Sequence, residues 1–323
     1  MNNCYLCRQV LSKENESVEH IIPNSIGGRL KSKKLLCKKC NSKLGTEYDS
    51  EVSKMFNASM IISGVKKDNN KNLSKEKFYD RNFNNMPFEF ERNKTGIKIN
   101  FNQIIRNKDS ISVSGNKKFV EEKKKELLKN NTRILKNESV NVVNEINLNR
   151  EDQIDKERLF KSILKTGIGF YLENKNNVEK IENVIENLSQ ENNFNKLKNI
   201  VEVRETKRTN NNYHSLFLFK NPITTRITCY VLYFSKYFNN YFKVELSKNY
   251  IEKNFDFDFY LYNLIKNTEE KEISKKIQYE IETMLNKELE NKENDSRELN
   301  EVGETIEELM INMIITNILW KEK

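Results

Sequence analysis

Four of the five cysteines lie within residues 1–40, as Cys4-Tyr5-Leu6-Cys7 and Cys37-Lys38-Lys39-Cys40. Two residues between paired thiolates let both sulfurs turn toward one ion, so two such knuckles can wrap a single tetrahedral Zn²⁺. Four sulfur ligands close the coordination shell, which makes that zinc structural and leaves it no position for substrate. The chain must therefore bring residue 4 beside residue 40 and fold what lies between as a clamped insertion. The gap between the knuckles is 29 residues, longer than the common zinc-ribbon spacing. An odd cysteine count in a chain of 323 residues argues against a disulfide framework. The fifth cysteine, Cys229, stands in an apolar run and reads as core.

The insertion predicts a hairpin followed by a helix. Residues 18–22 are strand-like, Pro23 and Gly27-Gly28 enforce a loop, and Lys34-Leu35-Leu36 suggests a short return strand. A helix should open near Lys38. One histidine sits here, next to a carboxylate. Phosphodiester hydrolysis needs a base to activate water and a cation to hold the charge developing on phosphorus. An imidazole titrates near neutrality, so His20 suits the base. Glu19 offers a hard oxygen ligand for Mg²⁺ or Mn²⁺, and the Asn41 side-chain carbonyl offers another. Adjacent strand residues point to opposite faces. Glu19 and His20 can address one phosphate only where the strand twists or ends, and Pro23 supplies such an end.

Charge points to a polyanion. The chain carries a net +9 with a pI near 9.0, and residues 1–46 hold nine Lys or Arg against three Glu. Basic surfaces bind nucleic acid largely through phosphate contacts and counterion release. Arg29, Lys31, Lys33 and Lys34, inside the insertion, are the candidate contacts. Isolated Lys and Asn runs elsewhere carry little weight, because a G+C-poor genome produces them without selection. No apolar run approaches the roughly 20 residues of a membrane helix, and the N-terminus lacks a signal-peptide pattern. A cytoplasmic chain without a membrane partner is expected.

The string Cys-x2-Cys … Glu-His-Ile-Ile-Pro-x3-Gly-Gly … Leu-Cys-x2-Cys-Asn-x3-Gly resembles the HNH endonucleases, in their zinc-bound ββα-metal branch with EHIIPxxxGG-type hairpins. The resemblance covers roughly residues 4–45. It implies nicking or double-strand cutting with one divalent metal, His20 as general base, and Glu19 and Asn41 as ligands of that metal. It also implies structural zinc on Cys4, Cys7, Cys37 and Cys40. Many members carry an Asn nine residues before the position matched by Asn41, where it orients the base or braces the loop; this chain has Ser32 there. The resemblance gives that task to Ser32, or to Asn24 from the loop.

The fold class expected is α+β: a zinc-stapled ββα module over residues 1–50, an α+β linking region with a hairpin over 51–148, and a helical and antiparallel-sheet region over 149–323 for recognition, dimerisation or regulation. Residues 46–64 read as one helix with Val52, Phe56, Met60 and Ile61 on its apolar face. Residues 87–91 and 97–101 read as a hairpin, 117–129 as a charged helix and 140–146 as a strand. A helix from residue 151, capped by Asn149 or Asp152, should bury Leu159, Phe160, Ile163, Leu164 and Ile168. Lys161 and Lys165, four apart on it, read as a solvated face, with phosphate contact as the alternative. A second helix is expected at 178–188, three antiparallel strands at 216–219, 227–234 and 241–246, and a mostly helical tail over 271–320. His214 reads as a sheet residue with a local hydrogen bond, and Trp320 as packing for the terminal helix.

The functional expectation is a metal-dependent endonuclease acting on nucleic acid, DNA favoured over RNA, in bacterial defence or restriction. One alternative is a non-catalytic zinc module that only binds nucleic acid. The other is a nuclease silent until a partner or small ligand engages the C-terminal region. A second copy of the chain and an operon-encoded protein are the candidate protein partners.

Overall fold

The computed structural model describes residues 3–66, 75–80, 86–93, 96–100, 102–106, 108, 111–129, 154–252 and 255–271, with isolated residues beyond (279, 283, 307–308, 310–312 and 315). The strand expected at 140–146, Trp320 and most of the expected helical tail lie outside the described residues. The architecture is α+β. It opens with an antiparallel pair, β1 (Glu19–His20) and β2 (Lys31–Ser32), with Glu19 opposite Ser32 and His20 opposite Lys31. The return strand thus falls earlier than residues 34–36. Leu35 and Leu36 are instead buried, and the Leu35 carbonyl accepts from Tyr5 N–H at 3.0 Å, tying the return segment to the first knuckle.

Between the strands the chain makes a 3₁₀ turn, Asn24–Ile26, closed by Gly27 at φ 86°. That left-handed conformation favours glycine. A Cβ on Gly28 would stand 1.9 Å from the Ile22 carbonyl oxygen, so the second glycine is demanded by close backbone approach. Helix α1 (Lys38–Glu47) follows the second knuckle, and α2 (Asp49–Ser63) follows α1. The single helix expected over 46–64 is therefore divided at Tyr48, whose hydroxyl donates to the Leu188 carbonyl at 2.7 Å. Val52, Phe56, Met60 and Ile61 form the buried face of α2 as expected.

The middle of the chain holds a three-stranded antiparallel sheet, β3 (Lys75–Asp80), β4 (Met86–Asn93) and β5 (Gly96–Asn100), then the pair β6 (Gln103–Arg106) and β7 (Ile111–Ser114), then α3 (Lys117–Lys129). Asn93 pairs with Gly96, closing the hairpin expected there.

Helix α4 (Lys156–Glu173) organises the rest. Its cap is Asp155, whose carboxylate accepts from Arg158 N–H, rather than Asn149 or Asp152. The position of Asp155 is set across the fold, because its own N–H donates to Glu51 Oε2 at 3.0 Å. The second helix expected at 178–188 is a broken one: a 3₁₀ turn (Val178–Ile181), α5 (Glu182–Ile185) and another 3₁₀ turn (Glu186–Leu188). After α6 (Phe194–Leu197) come β8 (Val201–Glu205), β9 (Tyr213–Asn221), β10 (Arg226–Leu232), β11 (Asn240–Ser247), β12 (Asp256–Asn263) and β13 (Thr268–Glu269). They form one antiparallel sheet in the order β13-β12-β9-β10-β11-β8.

Successive strand residues alternate between faces. One face of this sheet presents Leu216, Leu218, Cys229, Val231 and Val244 to the main core, which α4 shares. The other presents Tyr213, Phe217, Phe219, Tyr230 and Tyr241 to a second cluster that includes Met310, Ile311 and Ile315. Helix α4 is wedged between the sheet and the N-terminal hairpin. A Cβ on Gly167 would lie 3.2 Å from Val244, and one on Gly169 would lie 3.4 Å from Ile21. The main core runs unbroken from Tyr5, Ile21 and Leu36 through Phe56 and Ile163 to Leu218 and Val244. Among the described residues no helix is long and apolar enough to cross a membrane.

Candidate active site

The two knuckles meet. The four sulfurs of Cys4, Cys7, Cys37 and Cys40 lie within 4.8 Å of one another, the one group of three or more His, Cys, Asp or Glu ligands so arranged among the described residues. Four sulfurs about 2.3 Å from one ion at tetrahedral angles stand about 3.8 Å apart. Cys7 Sγ and Cys37 Sγ are separated by 3.8 Å. The cluster has the donor chemistry and the spacing to hold zinc.

Beside it opens a cleft of about 250 Å³, lined by Val18, Glu19, His20, Asn24, Ser25, Asn41, Gly45, Asp49 and Lys165. His20 and Glu19 both face it although they are adjacent, because β1 is only two residues long and ends before Pro23. Helix α1 carries Asn41 to the same cleft. Its amide nitrogen donates to Ser17 Oγ at 3.0 Å and to the Val18 carbonyl at 3.1 Å. That orientation leaves the amide oxygen as the atom able to meet a cation. Ser32 does not line the cleft; its hydroxyl accepts from Lys34 N–H at 3.2 Å and holds the turn after β2. Asn24, on the 3₁₀ turn, does line it.

Glu19 is 2% exposed. Burial lifts its carboxyl above the ordinary carboxylate range, and the nearby Lys165 ammonium holds back part of that rise. Its Oε1 forms an ion pair with Lys165 Nζ at 2.7 Å; apart from that contact both carboxylate oxygens are buried with no hydrogen-bond partner among the described residues. A buried carboxylate oxygen without a partner is costly unless something positive meets it. Glu19 and Asn41 thus fit a hard divalent cation such as Mg²⁺, which commonly takes only one or two protein oxygens and completes its shell with water and substrate phosphate.

Asp49 and Lys165 line the cleft, and Ser162 supports them, without having been recognised from the sequence as part of the site. Asp49, at the start of α2, accepts from Lys165 Nζ at 2.6 Å and from Ser162 Oγ at 2.6 Å. Burial works against the charge on Lys165, but the carboxylates of Asp49 and Glu19 outweigh it and hold the ammonium well above the usual lysine range. The face bearing Lys161 and Lys165 is therefore not solvated: each residue is 3% exposed. Lys161 is bound by Glu157 Oε1 at 2.8 Å and the Gln190 carbonyl at 2.5 Å, away from the cleft. The sequence carried no signal that these cations had partners, since Lys165 and Asp49 are 116 residues apart.

His214 lies in the sheet as expected, but its hydrogen bond is not local. It is fully buried on β9, and its hydrogen bond spans the fold: Nε2 lies 2.9 Å from the Ile26 carbonyl, while Nδ1 accepts from Phe234 N–H at 3.4 Å. That pattern assigns the proton to Nε2. It anchors the 3₁₀ turn bearing Asn24 to the sheet, and burial lowers its pKa to about 4. Lys31, Lys33 and Lys34 are exposed on and after β2, beside His20. Arg29 is half-buried and engaged within the fold, donating to the Lys66 carbonyl at 3.1 Å and to Asn267 Oδ1 at 3.4 Å.

A short hairpin and helix clamped by four cysteine sulfurs, with a histidine and a buried carboxylate in one cleft, define a ββα-metal module. Residues 4–57 match the model of the HNH endonuclease family. No curated protein and no solved structure matches the chain. That match points to nuclease chemistry, a hydrolase activity on nucleic acid.

Proposed function

We propose that the protein is a metal-dependent endonuclease that hydrolyses phosphodiester bonds, with DNA as the favoured substrate, and that it serves bacterial defence or restriction. The observation that carries this reading is the convergence of His20, Glu19 and Asn41 on one cleft. A purely nucleic-acid-binding zinc module needs the knuckles and the basic surface but not that set. His20 takes the proton from the attacking water. Glu19 and Asn41 would hold Mg²⁺ or Mn²⁺, which when bound stabilises charge on the phosphoryl oxygens. The two tasks assigned to the central family position are divided: Ser32 braces the turn through Lys34, and Asn24 orients the base. Lys31, Lys33 and Lys34 contact flanking phosphates, which positions the backbone without reading sequence. Arg29 contributes through the shape of the loop. The zinc at Cys4, Cys7, Cys37 and Cys40 is structural.

The test uses the zinc-loaded chain with supercoiled plasmid and with structured RNA, each under Mg²⁺, Mn²⁺ or a chelator. Metal-dependent cleavage of plasmid is expected. Binding without cleavage of either substrate under both metals would overturn the enzymatic reading. A gated nuclease is the second reading, favoured by the entry of α4 into the site. Its signature is a chain inert alone and active with an operon-encoded partner.

A further inference from the structure

Lys165 lies far outside the family segment 4–57, yet its Nζ sits between two carboxylates of the cleft, 2.7 Å from the buried Glu19 and 2.6 Å from the half-buried Asp49. Both oxygens of Asp49 are engaged by α4, one by Lys165 and the other by Ser162 Oγ at 2.6 Å. Asp49 is thus an anchor for Lys165 rather than a free cation ligand. Glu19 is held at Oε1 only, by its ion pair with Lys165; apart from that contact neither carboxylate oxygen has a hydrogen-bond partner among the described residues.

Stability alone gives little reason for this arrangement. Desolvating each buried ion costs several kcal/mol, and a buried pair replaced by apolar groups of similar volume is often no less stable. Groups that hydrogen-bond a metal ligand orient it, and losing them typically weakens metal binding by about 10- to 100-fold. We propose that Lys165, fixed by Asp49 and Ser162, is a positioning residue for Glu19: it pins one carboxylate oxygen and leaves the other for the divalent cation, so α4 completes the nuclease site from outside the HNH segment. The inference rests on the reading of Glu19 as a metal ligand.

Lys165→Met alone would change the charge of the site and confuse attraction with positioning. The charge-balanced double variant, Lys165→Met with Asp49→Asn, removes one positive and one negative group and leaves Glu19. Mn²⁺ alone is titrated calorimetrically into the zinc-loaded full chain, with zinc content and melting temperature in the absence of Mn²⁺ as controls. The expected result is Mn²⁺ affinity reduced about 10- to 100-fold, with one zinc per chain and a melting temperature near that of the parent. Unchanged Mn²⁺ affinity in the folded double variant would overturn the proposal. If the double variant does not fold, Ser162→Ala releases one oxygen of Asp49 while keeping every charge. A smaller loss of Mn²⁺ affinity is then expected, and no loss overturns the proposal. Glu19→Gln separates the two levels. If it leaves Mn²⁺ binding intact, the ligand reading itself fails; if it abolishes binding while the double variant does not, only the positioning role fails.

Discussion

Acid should loosen the clamp between the nuclease hairpin and the sheet through His214. In the folded chain this imidazole is fully buried, neutral, and bonded to the Ile26 carbonyl, with its pKa lowered to about 4 by burial. In an unfolded chain a histidine titrates near 6.5. Between those values the unfolded state binds a proton that the folded state refuses, so stability falls as pH falls from about 6.5 toward 4. The full gap corresponds to about 3 kcal/mol, of which about 2 kcal/mol is lost between pH 7 and pH 5. Urea unfolding at both pH values measures it. The comparison is with His214→Gln, which cannot titrate and can still donate to Ile26. Other titrating groups are common to both proteins and cancel in the difference. The parent should lose about 2 kcal/mol more than the variant on acidification. Equal losses would refute the reasoning that His214 is held neutral by burial.

Zinc removal should have a structural rather than a kinetic signature. A strong chelator is expected to unfold the hairpin and expose Tyr5, seen as loss of near-ultraviolet circular dichroism, since structural zinc contributes on the order of 10 kcal/mol in small domains. An unchanged spectrum in zinc-free protein would contradict the staple. The two glycines Gly28 and Gly45 should respond oppositely to alanine. At Gly28 a Cβ meets the Ile22 carbonyl oxygen at 1.9 Å, so Gly28→Ala should cost more than about 2 kcal/mol in urea unfolding. Gly45, inside α1, has only Asp49 Oδ2 nearby, at 4.0 Å, and alanine there should stabilise by about 0.5–1 kcal/mol.

What the sequence revealed depended on how local the cause was. The knuckles, the Glu19-His20 pair and the Gly27-Gly28 loop are short-range, and the chemistry they need dictates both residue type and spacing. The strands centred on Phe217, Cys229 and Val244 were legible because they are buried along most of their length and concentrate apolar and aromatic residues at their centres. The strands β8, β12 and β13 were missed: Val201–Glu205 is charged and exposed after Val201, and Asp256–Asn263 opens with aspartates alternating with half-buried phenylalanines before its buried end. The break between α1 and α2 carries no glycine or proline; Tyr48 is held there by a carbonyl 140 residues away. Lys165 shows the same limit at the site. Its spacing from Lys161 is identical to that of a solvated helical face, and only the packing of α4 against the hairpin separates the two.

The most direct test of the nuclease account is the His20→Ala variant in a plasmid-cleavage assay with Mg²⁺ or Mn²⁺, with zinc determined on the same sample. The account predicts loss of cleavage while zinc remains at one per chain. Full activity in a zinc-replete His20→Ala protein would contradict it.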